Sequence, residues 1–327
     1  MSGLPVTDDE QRLRSGLIAG LSAYLVWGAL TVYWKLLTEF DAFELVGWRV
    51  ISSAGLMAAV LTITRRWTHL RPVIRDRALL GRVALAGALL SCNWTSYVFA
   101  VVHGHVIETA LGYFMAPLGT ITVGVLVFHE HLSRLQRIAV GFGAASVVVL
   151  SLSYGQVPWL ALIMASTWSV YGWLKKQLPL TPLESMAAES FVVLVPAIVV
   201  ATALAGAADS IPSSASAGEF VLVLLTGVAT VVPLTLFAWA AHRVPLTVLG
   251  PMQYLVPSIN FLLGWLAYDE DLPLWRVVGF ALVWCGLVLV TVDTVRRSRS
   301  ARASRSDRML DPPTVPRDGS PAERTVH

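Results

Sequence analysis

Few residues in this 327-residue chain are able to do chemistry, and those few lie where charge is expensive. Glu44, Arg49, Glu108 and Glu189 all fall inside long apolar runs. A charge at the centre of a bilayer costs on the order of 3 kcal/mol on insertion scales, so each must face protein or a wet cavity and find a partner. Glu44 and Arg49 are five apart, about 500° around a helix, and do not stack as an i, i+4 pair does. Arg49 is therefore expected to take its partner from another helix, with Glu44, Glu108 and Glu189 the carboxylates available. Such a pair is either a structural tie or a site for a solute or proton. Glu108, one turn into its run, also suits an interfacial position.

Uncharged polar residues widen the candidate site. Asn93, Gln253 and Asn260 can hydrogen-bond a solute at little desolvation cost, or tie helices together at about 1 kcal/mol each. Trp94, Tyr113, Trp239 and Tyr254 could wall a cavity for a flat or cationic solute, or serve as packing and interface anchors. Pro117 and Pro257 each lie near the middle of a run and free a backbone carbonyl there. Lipid cannot satisfy that carbonyl, so the two prolines predict bends facing protein or a cavity. The histidines sit at the ends of runs with the spacing of turns, so no metal site is expected. No GxxxxGK[ST] loop is present, and no cofactor, ATP or nucleic-acid partner is expected.

The elements that must position these residues follow from composition. The chain is 55% hydrophobic and 14% charged, against about 25% charged in a soluble domain. Its solvent is therefore lipid. Helices of roughly 20 apolar residues span a bilayer, and such runs fall at 16–36, 43–63, 79–102, 105–128, 134–152, 157–176, 185–205, 219–241, 246–268 and 274–294. The sequence predicts an all-α membrane protein with ten transmembrane helices. Of 24 Lys and Arg, 21 fall in segments on the side of the N-terminus, so the positive-inside rule places both termini in the cytoplasm. Residues 1–15 form a cytoplasmic N-terminal segment. Residues 295–327, rich in Arg, Ser and Pro, read as a disordered basic cytoplasmic tail.

The runs repeat. Pro117, Gly124 and Glu130 recur as Pro257, Gly264 and Glu270, each 140 residues on. Residues 16–152 and 157–294 are thus two five-helix copies, and five is odd, so the second copy enters the membrane upside down. Inverted repeats with mid-helix prolines are the layout of a secondary transporter. Glu130 and Glu270, at span ends, are expected to satisfy the free N–H groups of the helix that follows each. The fifth and tenth spans carry small residues and little polarity. They read as scaffold, or as faces through which a homodimer would form.

Several strings together go beyond composition: ELVGWR at 44–49, Asn93-Trp94, ETALGYFMAP at 108–117, Lys175-Lys176, Glu189, Arg243 and LGPMQYLVP at 249–257. Over roughly 14–295 the chain resembles the RarD branch of the EamA drug/metabolite transporter superfamily. It departs in having Trp48 where the branch usually has His, and His129-Glu130 and Asp269-Glu270 where it usually has Gly-Glu. The Trp48 change weakens any scheme that needs an imidazole beside Arg49. The resemblance implies ten helices in inverted repeats, a central cavity open alternately to each side, and movement of small organic solutes or drugs, often outward. Members are commonly labelled chloramphenicol-sensitivity proteins. The resulting expectation is a multi-pass plasma-membrane carrier, with the proton as one coupling ion to test. Its alternatives are a membrane-embedded enzyme on a lipid-linked substrate, or a non-transporting scaffold.

Overall fold

The computed structural model describes residues 8–128, 132–175, 177–241, 243–244 and 252–310, and these are helical with no strand among them. In chain order the helices are α1 (Asp8–Lys35), α2 (Ala42–Ile63), α3 (Arg71–Arg75), α4 (Arg77–Val102), α5 (Val106–Phe128), α6 (Arg134–Tyr154), α7 (Trp159–Lys175), α8 (Pro182–Val192) and α9 (Leu194–Leu204). There follow α10 (Ile211–Ser214), α11 (Ala217–Ala241), α12 (Leu255–Leu262) and α13 (Leu274–Leu310). Seven of these are long and apolar enough to cross a membrane, and α8 with α9 forms an eighth, bent candidate.

Polar residues at the run ends start and stop the helices. Asp41 accepts the N–H groups of Phe43 and Glu44 at 2.8 and 3.1 Å to start α2. Asp76 does the same for α4. Ser133 with Gln136 and Thr181 with Glu184 form capping boxes that start α6 and α8. Gly104 turns α4 into α5 at φ +76°, where a side chain would be strained.

Four boundaries differ from the sequence expectation. The run at 185–205 is broken at Val193 by a 43° bend between α8 and α9. Pro196 has no N–H for the Val192 carbonyl and its ring crowds that carbonyl, so the helix yields one turn earlier. Pro257 acts likewise: Gln253 and Tyr254 form a turn and α12 begins at Leu255. The run then ends in a π-turn, Leu263–Ala267. Pro117 sits inside an unbroken α5. The first helix starts at Asp8, within the segment assigned to the N-terminal arm, and α13 continues to Leu310, past the expected end at 294. Its extension is built from Arg, Ala and Ser with no proline before Pro312, a composition a helix tolerates well. Residues 1–7, the tail from 311, Glu130, His129, His131, His242 and the start of the ninth run at 246–251 lie outside the described residues.

The main packing partners come from opposite halves. α1 lies on α11 and α12, and α7 on α4 and α5. α2 lies on α11, and α8 on α4. The pairs α2 with α8–α9, α5 with α12, and α6 with α13 complete the set. Exchanging the two halves leaves this set of pairings unchanged. Matching positions sit 140 residues apart: the N-caps Asp41 and Thr181, and the close-approach glycines Gly87 and Gly227. A Cβ on Gly227 would lie 2.7 Å from the Ser52 carbonyl carbon, and one on Gly87 would lie 2.8 Å from Val193 Cγ1. The α6–α13 pair stands to one side, mostly exposed, and is knit by Ser146 Oγ donating to the Gly279 carbonyl at 2.8 Å.

Candidate functional site

The candidate site is a belt of polar side chains on the seam between the halves. From α2, Arg49 points inward and is only 4% exposed. Its Nε donates to Thr230 Oγ1 of α11 at 2.9 Å. The guanidinium carbon lies 3.9 Å from the Trp94 ring centre and 5.5 Å from that of Trp34. A guanidinium is weakly hydrated and planar, so aromatic faces recover part of its lost solvation.

Two further links extend the belt. Tyr97 hydroxyl and Thr31 Oγ1 are 2.8 Å apart, and Thr31 donates to Asn260 Oδ1 at 2.8 Å. Asn260 Nδ2 then donates to Thr109 Oγ1 at 3.1 Å. This chain joins α4, α1, α12 and α5. Beside it, Asn93 Nδ2 donates to the Met164 carbonyl at 2.9 Å and to Thr167 Oγ1 at 3.1 Å, and Asn93 Oδ1 accepts the Tyr113 hydroxyl at 3.2 Å. The rings of Tyr97 and Tyr113, 5.9 Å apart, bring the two links together. Every helix in these links contributes one to three polar atoms, each paired, as a lipid-embedded seam requires.

Arg49 meets none of the expected carboxylates. Ion pairs among the described residues include His69 with Glu184 and Lys175 with Glu189, and neither involves Arg49. Glu44 is turned toward the loop and accepts the Ile211 N–H with both oxygens, at 3.0 and 3.1 Å. Glu108 accepts the Ala161 N–H at 3.4 Å. Glu189 is held by Lys175 Nζ at 2.6 Å, Ser185 Oγ at 2.7 Å and the Tyr171 hydroxyl at 3.2 Å. Each acid lies on the side of its helix that faces an unmet N–H or ammonium, and those claims outrank the distant guanidinium.

The other predicted residues divide. Trp94, Asn93, Tyr113 and Asn260 join Arg49 on the seam, whereas Tyr254 packs against Phe114 in the α5–α13 cluster. Trp239 and Gln253 stand apart. Trp239 is 51% exposed on α11 under the Arg243 guanidinium, an interface arrangement, and Gln253 is exposed in the turn before α12. Glu108 and Glu270 line a cavity of about 380 Å³ with His105, Tyr268 and Arg276. There Glu270 accepts the N–H groups of Val106 and Ile107 at 2.5 and 2.9 Å. It thus caps α5 of the other half, and not the following helix as expected. Asp269, at φ +51°, turns the chain back, and Gly264 leaves room for Ile107. Burial raises the Glu270 carboxyl above the usual range, against the lowering effect of those two N–H groups.

Sequence reasoning missed Trp34, Thr31, Tyr97, Thr109 and Thr230. Threonine and tryptophan are half apolar and pass unnoticed in an apolar run; only spatial convergence marks them.

Comparison with known proteins defines the class to which this fold belongs. The model of the EamA-like transporter family matches residues 14–152 and again 157–292. The chain therefore belongs to the EamA-like transporter family, as a RarD-type multi-pass membrane protein. It is 40% identical to "Protein RarD" of Streptomyces exfoliatus over 90% of this chain and 93% of that one. It is 33% identical to "Uncharacterized transporter YojE" of Bacillus subtilis, over 89% and 98%. "Chloramphenicol-sensitive protein RarD" of Pseudomonas aeruginosa is 25% identical, over 87% and 96%. A solved crystal structure shares the fold at a TM-score of 0.53 with 18% identity, covering 86% of this chain and 98% of that one.

Proposed function

We propose that this protein is a secondary transporter, and not an enzyme, that moves a small organic solute out of the cell by alternating access. The observation that carries the reading is the buried polar seam around Arg49, where α2, α11, α4 and α1 of the two halves meet. A scaffold has no need of an uncompensated guanidinium there, at a cost of about 3 kcal/mol. Transporters of this kind hold their solute at the repeat interface near mid-membrane. Membership of the EamA-like transporter family and the names of the relatives support the same class.

In this reading the chain crosses the plasma membrane ten times, as inverted repeats at 16–152 and 157–294, with both termini cytoplasmic. Packing pairs that survive exchange of the halves, and the double match to one family model, support that arrangement. Reporter tags at positions 130 and 209 check it; both on one face would rule out the inversion. Spans 1–4 and 6–9, the first four of each copy, rock around the seam, while α6 and α13 stay fixed as a small-residue scaffold. The bends at Val193 and Gln253–Tyr254 are the places where backbone can give. A proton, where coupled, acts through one of the acids within the spans, Glu44, Glu108 or Glu189. Efflux from proteoliposomes with and without an imposed pH gradient tests both parts. A gradient that changes nothing removes the proton, and an absence of flux for any small organic solute sinks the carrier.

A further inference from the structure

The seam holds two buried donors that lack an acceptor of matching charge or reach. Arg49 has a hydroxyl on one nitrogen and aromatic faces above it, but no carboxylate within 4.0 Å among the described residues. Trp34 is 1% exposed, its ring lies 5.5 Å from the guanidinium, and its indole N–H has no hydrogen-bond partner. A buried N–H without an acceptor is costly, and a buried cation without a counterion more so. The same bundle does supply counterions elsewhere, since Lys175 and Glu189 meet at 2.6 Å. Nor can the acids within the spans serve in turn: Glu44, Glu108 and Glu189 are each committed to other donors.

From this surplus of donors we infer that the solute carries an oxyanion, a carboxylate or phosphate, that docks on Arg49 and Trp34. This assignment rests on the carrier reading and narrows its substrate class. The guanidinium edges left beside Trp94 suit a two-oxygen acceptor, which an arginine fork binds in bidentate fashion. The Trp34 N–H then takes one of those oxygens as a second donor. Thr230 holds the guanidinium through Nε.

The test uses the full chain in nanodiscs and a matched set of probes: benzoate, phenyl phosphate, benzamide and benzylamine, at constant ionic strength. Quenching of tryptophan fluorescence and a rise in Tm should report saturable binding of one or both anions. Benzamide and benzylamine should bind at least about tenfold more weakly. Trp34→Phe keeps the ring and removes the N–H, and should weaken the anion several-fold. Arg49→Lys should retain part of the binding and Arg49→Gln lose it. If Arg49→Gln does not fold, the wild-type discrimination between benzoate and benzamide still decides. Equal binding of benzamide or benzylamine, or no anion binding at millimolar concentration, overturns the proposal. Counterflow in proteoliposomes then separates the two claims. An anion that binds and is not moved defeats the carrier and leaves the site. Neutral solutes moved by a protein that binds no anion defeat the site and leave the carrier.

Discussion

Arg49 and Glu189 stand 140 residues apart, each eight residues after the N-cap of the second helix in its half, and the protein treats the two buried charges in opposite ways. Glu189 is surrounded by an ammonium and two hydroxyls at hydrogen-bond distance. Arg49 has one hydroxyl and two aromatic faces. Equivalent backbone positions therefore do not dictate how a charge is matched. One half spends its polar side chains on closing an ion pair, and the other leaves a cation to rings and a threonine. On the proposed reading, the first is a latch and the second a receptor.

Removing one charge partner from each half should sharpen that contrast most. Lys175→Met strands the Glu189 carboxylate among buried groups and should cost about 3–5 kcal/mol, read as a fall in Tm in detergent. Arg49→Met removes a cation that no carboxylate balances, so folding stability should change by less than about 1 kcal/mol, in either direction, while transport is lost. Equal destabilisation by the two variants would erase the distinction between latch and receptor.

Glycine pairs compare the halves by shape. Gly227→Ala drives a methyl to 2.7 and 2.8 Å from the Ser52 carbonyl carbon and oxygen, which cannot move without parting α11 from α2. Gly87→Ala meets first a side-chain methyl of Val193 at 2.8 Å. The first should cost about 1–3 kcal/mol and the second less, measured as the difference in Tm between the two variants. A reversed order would show that the α4–α8 contact is the tighter one.

How much of this was legible in the sequence depended on what forces the chain obeys. Runs at 43–63, 79–102 and 105–128 match α2, α4 and α5 within two residues, because lipid leaves the backbone no alternative to a helix. Arg49 stood out for the same reason: a guanidinium in an apolar run has few explanations. Its partners did not, since Thr230 and Trp34 lie on other spans and their types are ordinary in membranes. No bend was read at Pro196, yet the helix breaks one turn before it at Val193, whereas Pro117, where a bend was expected, leaves α5 intact. A proline states that a hydrogen bond is missing, and packing decides whether the helix yields.

Glu270 offers a smaller test at the cavity end. Gln in its place keeps one acceptor for the Val106 and Ile107 N–H groups and turns an amide donor on the other, at a cost of about 1–2 kcal/mol. Because burial raises the folded carboxyl above its unfolded value, its contribution to stability is full at low pH. That contribution declines as pH rises from the ordinary carboxylate range through the raised one. The wild-type Tm should therefore fall across that window, and the Glu270→Gln curve should be flatter. Parallel curves would mean another group sets the slope.

The smallest effect, at Trp239, is read against a nearly identical stack at Trp94. Arg243 lies 3.6 Å from the Trp239 ring centre, and Arg49 lies 3.9 Å from that of Trp94. Geometry alone would rank the first pair higher. Water competes for an exposed guanidinium, however, and a cation–π contact worth about 0.5–1 kcal/mol at the surface reaches about 2 kcal/mol or more when desolvated. Trp239 is 51% exposed and Arg49 only 4%. Trp239→Leu should thus shift stability by no more than about 1 kcal/mol and leave transport as it was, whereas Trp94→Leu should lower both. The check is one thermal melt and one flux measurement per variant. A larger loss from Trp239→Leu would mean that the rim of α11, and not the buried seam, is where the solute is held.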